Sequence, residues 1–179
     1  MTPAILAGLA ALWLVPLAAE AQGAASGEDL VFDAAPAQAC REAAATAVPG
    51  TSAACAGRAA DACMQATPGG VSTAGMGGCL AAELDWWDAA LNDAYVRLKP
   101  LETGNDTVLP SGMALRPSAA LTDMQRSWIA FRDARCAYVH AQWGGGTGGG
   151  PAELACRLQV TAEQTLFLDA RLRDLTTRG

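Results

Sequence analysis

Three stretches of this chain place apolar residues at alternating steps of three and four, and this spacing constrains the fold more than any other feature. Such steps put the apolar side chains on one face of an α-helix. The first stripe predicts a helix from about Met76 to Lys99. Its apolar positions are Leu80, Leu84, Trp87, Leu91, Tyr95 and Leu98. The last stripe has the spacing of packed helix seams and comprises Leu154, Leu158, Thr161, Thr165, Leu168, Leu172 and Leu175.

Between these stripes, a second long helix is predicted to begin near Ser118, a residue type that caps helix N-termini. Pro100 is expected to end the first helix, which leaves residues 101–117 as a loop. The glycine run 144–150 predicts a turn, and Pro151 suits the first turn of the helix that follows. The second helix carries two adjoining apolar faces, one with Leu121, Met124, Trp128 and Phe131, the other with Ile129, Cys136, Val139 and Trp143.

Shorter alanine-rich helices are predicted between Ala37 and Gln65, separated by Pro49 and Gly50. No segment alternates with a period of two for long enough to predict a strand. We therefore expect an all-α fold, a small disulfide-braced helical bundle with three long helices and short N-terminal helices. It forms one domain over residues 37–179, behind a flexible lead-in at residues 22–36.

The N-terminus predicts a signal peptide over residues 1–21. Residues 5–19 are nearly all apolar, and Ala19-Glu20-Ala21 fits the small-x-small pattern of a signal-peptidase site. The alternative is a short membrane anchor, but the run is barely long enough to span a bilayer and contains Pro16. We expect a periplasmic or secreted protein, with no stable membrane insertion after cleavage.

An even number of cysteines in an exported chain predicts a disulfide framework. Two predicted pairs lie symmetrically about a turn, one about Thr147 and one about Val71, where antiparallel helices face each other. The third pair is left by elimination, and Cys40 could instead reach Cys63. The predicted pairs are Cys136–Cys156, Cys63–Cys79 and Cys40–Cys55. With no Cys-x-x-Cys and a single histidine, neither a metal nor another cofactor is expected.

The charge balance limits the class of partner. The chain has 12 basic and 18 acidic side chains, a formal net charge of −6. Nucleic acid is not an expected partner, because phosphate binding needs a basic face. A cationic partner would be attracted by the long-range field.

Two motifs on the long helices are distinctive together. Asp88, Leu91, Asn92 and Tyr95 spell D-x-x-L-N-x-x-Y on the first helix. On the second, residues 121–136 spell L-x-x-x-Q-R-x-W-I-x-F-R-D-x-x-C. This order and spacing resemble the N-terminal domain of the lysozyme-inhibitor LprI-like family over about residues 60–176. The resemblance implies a helical, non-catalytic binding protein.

The polar motif residues predict a structural network. Asp88 and Asn92 share a helix face with Tyr95, so a bundle could bury the Arg132 guanidinium bidentately against them. The alternative is a polar patch that binds a partner. The predicted network comprises Asp88, Asn92, Tyr95, Arg126, Arg132 and Asp133.

Two parts of the chain are candidate binding contacts. Trp86 falls off the apolar stripe and is expected to be exposed, next to Asp85. The other tryptophans of the long helices, Trp87, Trp128 and Trp143, are expected in the core. The glycine turn, with Gly146, Thr147 and Gly148, is the second candidate, with a plain spacer between helices as the alternative.

An enzyme is not expected. Glu83, Asp85 and Asp88 lie on one helix as solvated charge, whereas catalytic carboxylate pairs flank a cleft. His140 has no nucleophile at a recognisable spacing, and no strand precedes the glycine run as a phosphate loop requires. We expect an exported binding protein that inhibits a c-type lysozyme. The alternative is an envelope interaction or scaffold module with another envelope protein as its partner.

Overall fold

Five helices make up the computed structural model, which describes residues 30–45 and 55–178. They are α1 (Ala35–Ala44), α2 (Arg58–Ala66), α3 (Thr73–Val108), α4 (Pro117–Ala141) and α5 (Gly149–Arg178). The described ranges contain no strand, so the all-α prediction is confirmed. The predicted signal peptide and the Pro49-Gly50 break lie outside the described residues.

The core consists of two apolar clusters joined along α3 and α5. Trp87 of α3 and Leu158 of α5 are fully buried in the first cluster, which also takes in α1 and α2. Leu98 of α3 and Leu168 of α5 are fully buried in the second, which Leu121 of α4 completes. The α3 and α5 stripes therefore face each other through the length of the bundle, as their seam spacing predicts.

The chain just before α1 is packed rather than loose. Leu30 and Phe32 lie against the first cluster, and the Val31 amide donates to Thr67 Oγ1 at 3.0 Å. This differs from the flexible lead-in expected at residues 22–36, of which residues 22–29 are not described. The two apolar side chains account for the difference, because they fill space over α2 and α3.

Pro100 does not end α3, and this prediction is wrong. The helix continues to Val108 with Pro100 inside it, so the loop is shorter than residues 101–117. Tertiary contacts hold the extra turns: Glu102 is 5% exposed and accepts two hydrogen bonds from Arg171 of α5, at 2.7 and 3.2 Å. Such contacts offset the cost of an interior proline, about 3 kcal/mol.

The helix α4 begins within one residue of the predicted Ser118, but its N-cap differs from the prediction. Arg116 occupies the N-cap position without a side-chain cap, and Pro117 takes the first helical position. Ser118 is not the cap. Its amide and hydroxyl both donate to the Asp106 carboxylate of α3. A carboxylate from a neighbouring helix thus satisfies this N-terminus.

Neither of the two predicted apolar faces of α4 is buried along its full length. Leu121 and Cys136 are buried, whereas Ile129, Phe131 and Trp143 are 46%, 54% and 51% exposed. The reason is position: α4 lies at the edge of the bundle, and none of the helices in residues 30–45 and 55–178 covers its outer face.

Three disulfides brace the bundle, and their pairing confirms the prediction. Cys40–Cys55 ties α1 to the start of α2, Cys63–Cys79 joins α2 to α3, and Cys136–Cys156 joins α4 to α5. None of the described helices combines the length and apolarity needed to cross a bilayer.

Candidate functional site

The motif residues meet where α3 faces α4. Arg132 Nη1 donates to Asp88 Oδ1 at 3.4 Å, and Arg132 Nε donates to Asp133 Oδ1 at 3.1 Å. The guanidinium carbon lies 5.0 Å from the centroid of the Trp128 ring, and the Arg132 side chain is only 16% exposed. The structure therefore brings Arg132 to Asp88, but the guanidinium is shared between two carboxylates instead of binding one bidentately.

The other predicted network residues lie further out. Asn92 is exposed and donates to Asp88 Oδ2 at 3.4 Å, so it touches the carboxylate but not Arg132. Tyr95 packs on the second core cluster, where a hydrogen bond with Thr122 lowers the pKa of its hydroxyl. Burial acts in the opposite direction.

Arg126 does not join the network. Its side chain is 77% exposed and lies 3.8 Å from Asp123 on the same helix. The residue falls on the outer face of α4, where the charge pairs within the helix instead of across the bundle.

The network continues to α5 through residues that the sequence analysis missed. Arg157 donates to Asp133 Oδ1 at 2.8 Å and to Glu153 Oε1 at 3.0 Å. Glu153 Oε2 in turn lies 2.8 Å from His140 Nδ1. The signal was available, since a glutamate four residues before an arginine predicts an ion pair on one helix face.

Hydrogen bonding lowers the pKa of Glu153 within this chain of contacts. The hydrogen bond with His140 contributes most, and the Arg157 guanidinium adds to it against an opposing effect of burial. A continuous series of ion pairs and hydrogen bonds therefore runs from Asp88 on α3 to His140, the next-to-last residue of α4.

The α4–α5 turn forms a folded cap, which we call the hairpin tip (residues 142–148). Consecutive turn hydrogen bonds close it, from Gly146 N to Trp143 O at 2.9 Å and from Gly149 N to Gly146 O at 3.1 Å. Gly144 and Gly145 have φ angles of +56° and +87°, which favour glycine. The Cys136–Cys156 bond crosses the hairpin below the tip.

Trp143 covers the hairpin tip, although sequence spacing placed it in the core. A Cβ atom on Gly148 would lie 2.2 Å from the Trp143 ring, so the glycine lets the indole lie against the backbone. The ring is still 51% exposed. Gly146 and Thr147 are exposed beside it.

Trp86 and Asp85 lie apart from the tip. Trp86 is half-buried against the first core cluster, edge-on to Trp87 with ring centroids 4.8 Å apart. Asp85 is exposed and lines a cavity of about 190 Å³ beside Asp88, Arg132 and Arg157. The predicted binding residues therefore belong to separate places.

Glu83 is not the solvated charge expected from the sequence. It is fully buried and accepts hydrogen bonds from the amides of Gly57 and Ala60, at 3.0 and 2.6 Å, and from Trp87 Nε1 at 3.0 Å. Gly57 is the N-cap of α2 and offers no side chain. Glu83 supplies from α3 both contacts that a capping box takes from its own helix.

Comparison with known proteins finds a matching family model and a distant relative. A family model described as lysozyme inhibitor LprI matches residues 63–168. An uncharacterized 17.7 kDa protein from the puhA 5′ region of Rhodobacter capsulatus is 27% identical over 125 residues, covering 65% of this chain and 74% of that protein. No solved structure matches the chain. The matched range includes the motifs, the ion-pair series and the hairpin tip, and it leaves out Cys40 and Cys55.

Proposed function

Because the chain belongs to the lysozyme inhibitor LprI family, we propose that it is an exported, non-catalytic binding protein that inhibits a c-type lysozyme. The observation that carries this proposal is the half-exposed Trp143 on a hairpin tip braced by Cys136–Cys156. Tryptophan is among the residues that dominate protein interfaces. A turn already fixed by hydrogen bonds and a disulfide loses little further entropy on docking, which supports the tip as the contact.

Charge supports the choice of a cationic target. Of the acidic side chains behind the formal net charge of −6, only Glu20 lies in the proposed signal peptide, so the exported protein stays acidic. Its field attracts the usual cationic lysozyme and speeds the encounter more than it deepens final affinity. The association rate should therefore fall as salt rises, while the dissociation rate changes little.

The carboxylates of α3 support a role other than catalysis. Glu83 is occupied by three hydrogen bonds away from solvent, and Asp88 is engaged by Arg132. Asp85 and Asp88 line one small cavity, but both project from the same helix and do not face each other across a cleft, as a pair of glycosidase carboxylates would.

The disulfides support export. Three disulfides in a small domain fit an oxidising compartment, with residues 1–21 as the proposed signal peptide. We place the helical domain at residues 37–179, with the packed residues 30–36 as its edge.

A bacterial cell-wall lysis assay tests the inhibitor function. Oxidised protein spanning residues 22–179 is added to a c-type lysozyme, and slower lysis is expected. Trp143→Ala should raise the inhibitory concentration by about 30-fold, the effect of a hot-spot residue worth about 2 kcal/mol.

The matched control is Phe167→Ala, since Phe167 of α5 is 57% exposed but lies away from the tip. This variant should inhibit like the parent. Undiminished lysis at large molar excess of the parent protein removes the inhibitor function. Capture of another envelope protein, lost in Trp143→Ala, would then favour the interaction or scaffold role at the same surface.

A further inference from the structure

A mixed polar groove lies between α1, α3 and α5, at the end of the bundle opposite the hairpin tip. Its volume is about 470 Å³. Arg173 in its wall lies about 36 Å along α5 from Gly149, at 1.5 Å per residue. The side chains that characterise it are Arg41, Trp86, Asp93, Arg97, Asp169 and Arg173.

One pair of these side chains is held in position before any ligand arrives. Arg41 donates to both carboxylate oxygens of Asp169, at 2.7 and 2.9 Å, and Asp169 is only 8% exposed. These bonds use two of the five guanidinium N–H donors, so three remain for another acceptor. The hydrogen bond with Asp169 raises the pKa of Arg41, so the guanidinium stays charged.

Charge balance in the groove excludes most classes of ligand. Arg41, Arg97 and Arg173 face an equal number of carboxylates, from Glu42, Asp93 and Asp169. An anion would be repelled by the carboxylates, and a cation would be repelled by the guanidiniums. A wholly apolar ligand would bury these polar groups without partners, which is costly. A neutral ligand rich in hydrogen-bond donors and acceptors remains.

Trp86 adds an apolar surface to this polar lining. It is half-buried and fixed edge-on against Trp87, and its indole N–H has no hydrogen-bond partner in the described part of the chain. A flat apolar ring with a free polar edge suits a ligand that has both C–H and hydroxyl faces.

We propose that this groove binds a short neutral saccharide, which stacks on Trp86 and exchanges hydrogen bonds with Arg41 and Arg173. Sugar hydroxyls both donate and accept, so one ring can satisfy guanidinium and carboxylate groups together. The volume falls within the range of small-molecule sites. This site is independent of the lysozyme contact.

An NMR titration of the oxidised protein tests the proposal. Cellobiose, maltose and N,N′-diacetylchitobiose are each added to about 20 mM, a range that reveals millimolar affinities. At least one should shift the Trp86 indole and Arg41 Nε signals saturably. Inorganic phosphate serves as the anionic probe and should not shift them saturably.

Variants locate the binding. Arg173→Gln should weaken saccharide binding about tenfold or more, the effect of losing one hydrogen bond to a charged donor. Trp86→Leu should abolish saturation, with the fold checked by its unfolding midpoint. Arg135→Gln on the outer face of α4 and Trp143→Ala at the tip are the controls and should bind like the parent. No saturable shift with any of the disaccharides, saturation by phosphate alone, or equal weakening in Arg135→Gln would overturn the proposal.

Discussion

At the scale of single residues, Glu83 shows how a helix can be capped by its neighbour. Its carboxylate satisfies the Gly57 and Ala60 amides of α2 and the Trp87 indole while it is fully buried. The partial positive charge of a helix N-terminus also favours a carboxylate there. One side chain therefore fixes both the start of α2 and the ring at the centre of the core.

Replacing Glu83 by Gln should lower the free energy of unfolding by about 2–4 kcal/mol, because the amide group would set a donor against a backbone N–H. Denaturant unfolding of the oxidised protein measures this. The control is Asp85→Asn, an exposed neighbour on the same helix, which should stay within about 0.5 kcal/mol of the parent. Equal midpoints for the two variants would show that Glu83 does not cap α2.

At the scale of elements, α4 differs from the other long helices because it lies at the edge of the bundle. It is held near its start by Leu121 and near its end by Cys136, with Arg132 between them. Its outer face carries Phe131 and Tyr138, 54% and 66% exposed. The position of the hairpin tip therefore depends strongly on the disulfide to α5.

Replacing both Cys136 and Cys156 by Ser should cost about 3 kcal/mol at most, as loops of this size do in the chain-entropy model. Amide hydrogen exchange should quicken at Gly146 and Gly149, whose turn bonds the disulfide supports, and stay slow around Leu158. The proposed inhibition of lysozyme should be lost to a greater extent than the free energy of unfolding. Unchanged exchange at the tip would mean that the turn is rigid without the bond.

At the scale of the whole molecule, ion pairs join helices distant in sequence. Arg41 of α1 and Asp169 of α5 form one, and Glu102 of α3 and Arg171 of α5 form another. Hydrogen bonding from Arg171 holds the pKa of Glu102 below its ordinary value of 4.5, against burial. Both pairs attach to α5 at the α3–α5 seam, where Asp169 follows Leu168 and Arg171 precedes Leu172 of the second cluster.

This seam should lose stability in acid. A carboxylate whose folded pKa is depressed stabilises the fold above its unfolded value, near 4.5, and the contribution disappears as the pH falls through the folded pKa. Glu102→Gln should therefore be less stable than the parent at neutral pH and should flatten the loss below pH 4.5. Unfolding free energies measured across the acid range check this, and parallel curves for the two proteins would contradict it.

The α3 and α5 stripes predicted their helices because one face of each is buried along its full length. Symmetry about a turn predicted Cys63–Cys79 and Cys136–Cys156, because a local turn brings each pair together, and Cys40–Cys55 followed by elimination. Contacts from other helices explain the features that spacing did not predict. Arg171 holds the part of α3 beyond Pro100 against α5, and the Asp106 carboxylate satisfies the start of α4 in place of a Ser118 cap. Glu83 is buried because it accepts hydrogen bonds from the start of α2. The spacing along one helix does not show which of its faces another helix covers. For this reason Trp143 was wrongly predicted in the core and Arg126 in the polar network.

The disulfides join each cysteine to the next one along the chain, across separations of 15, 16 and 20 residues. If such a chain leaves a translocation pore with its N-terminus first, both cysteines of one pair emerge before either cysteine of the next pair. If each cysteine forms a disulfide with the first available partner, the native pairing results, out of the 15 pairings that six cysteines allow. Maturation of this protein should accordingly need a thiol oxidase but no disulfide isomerase.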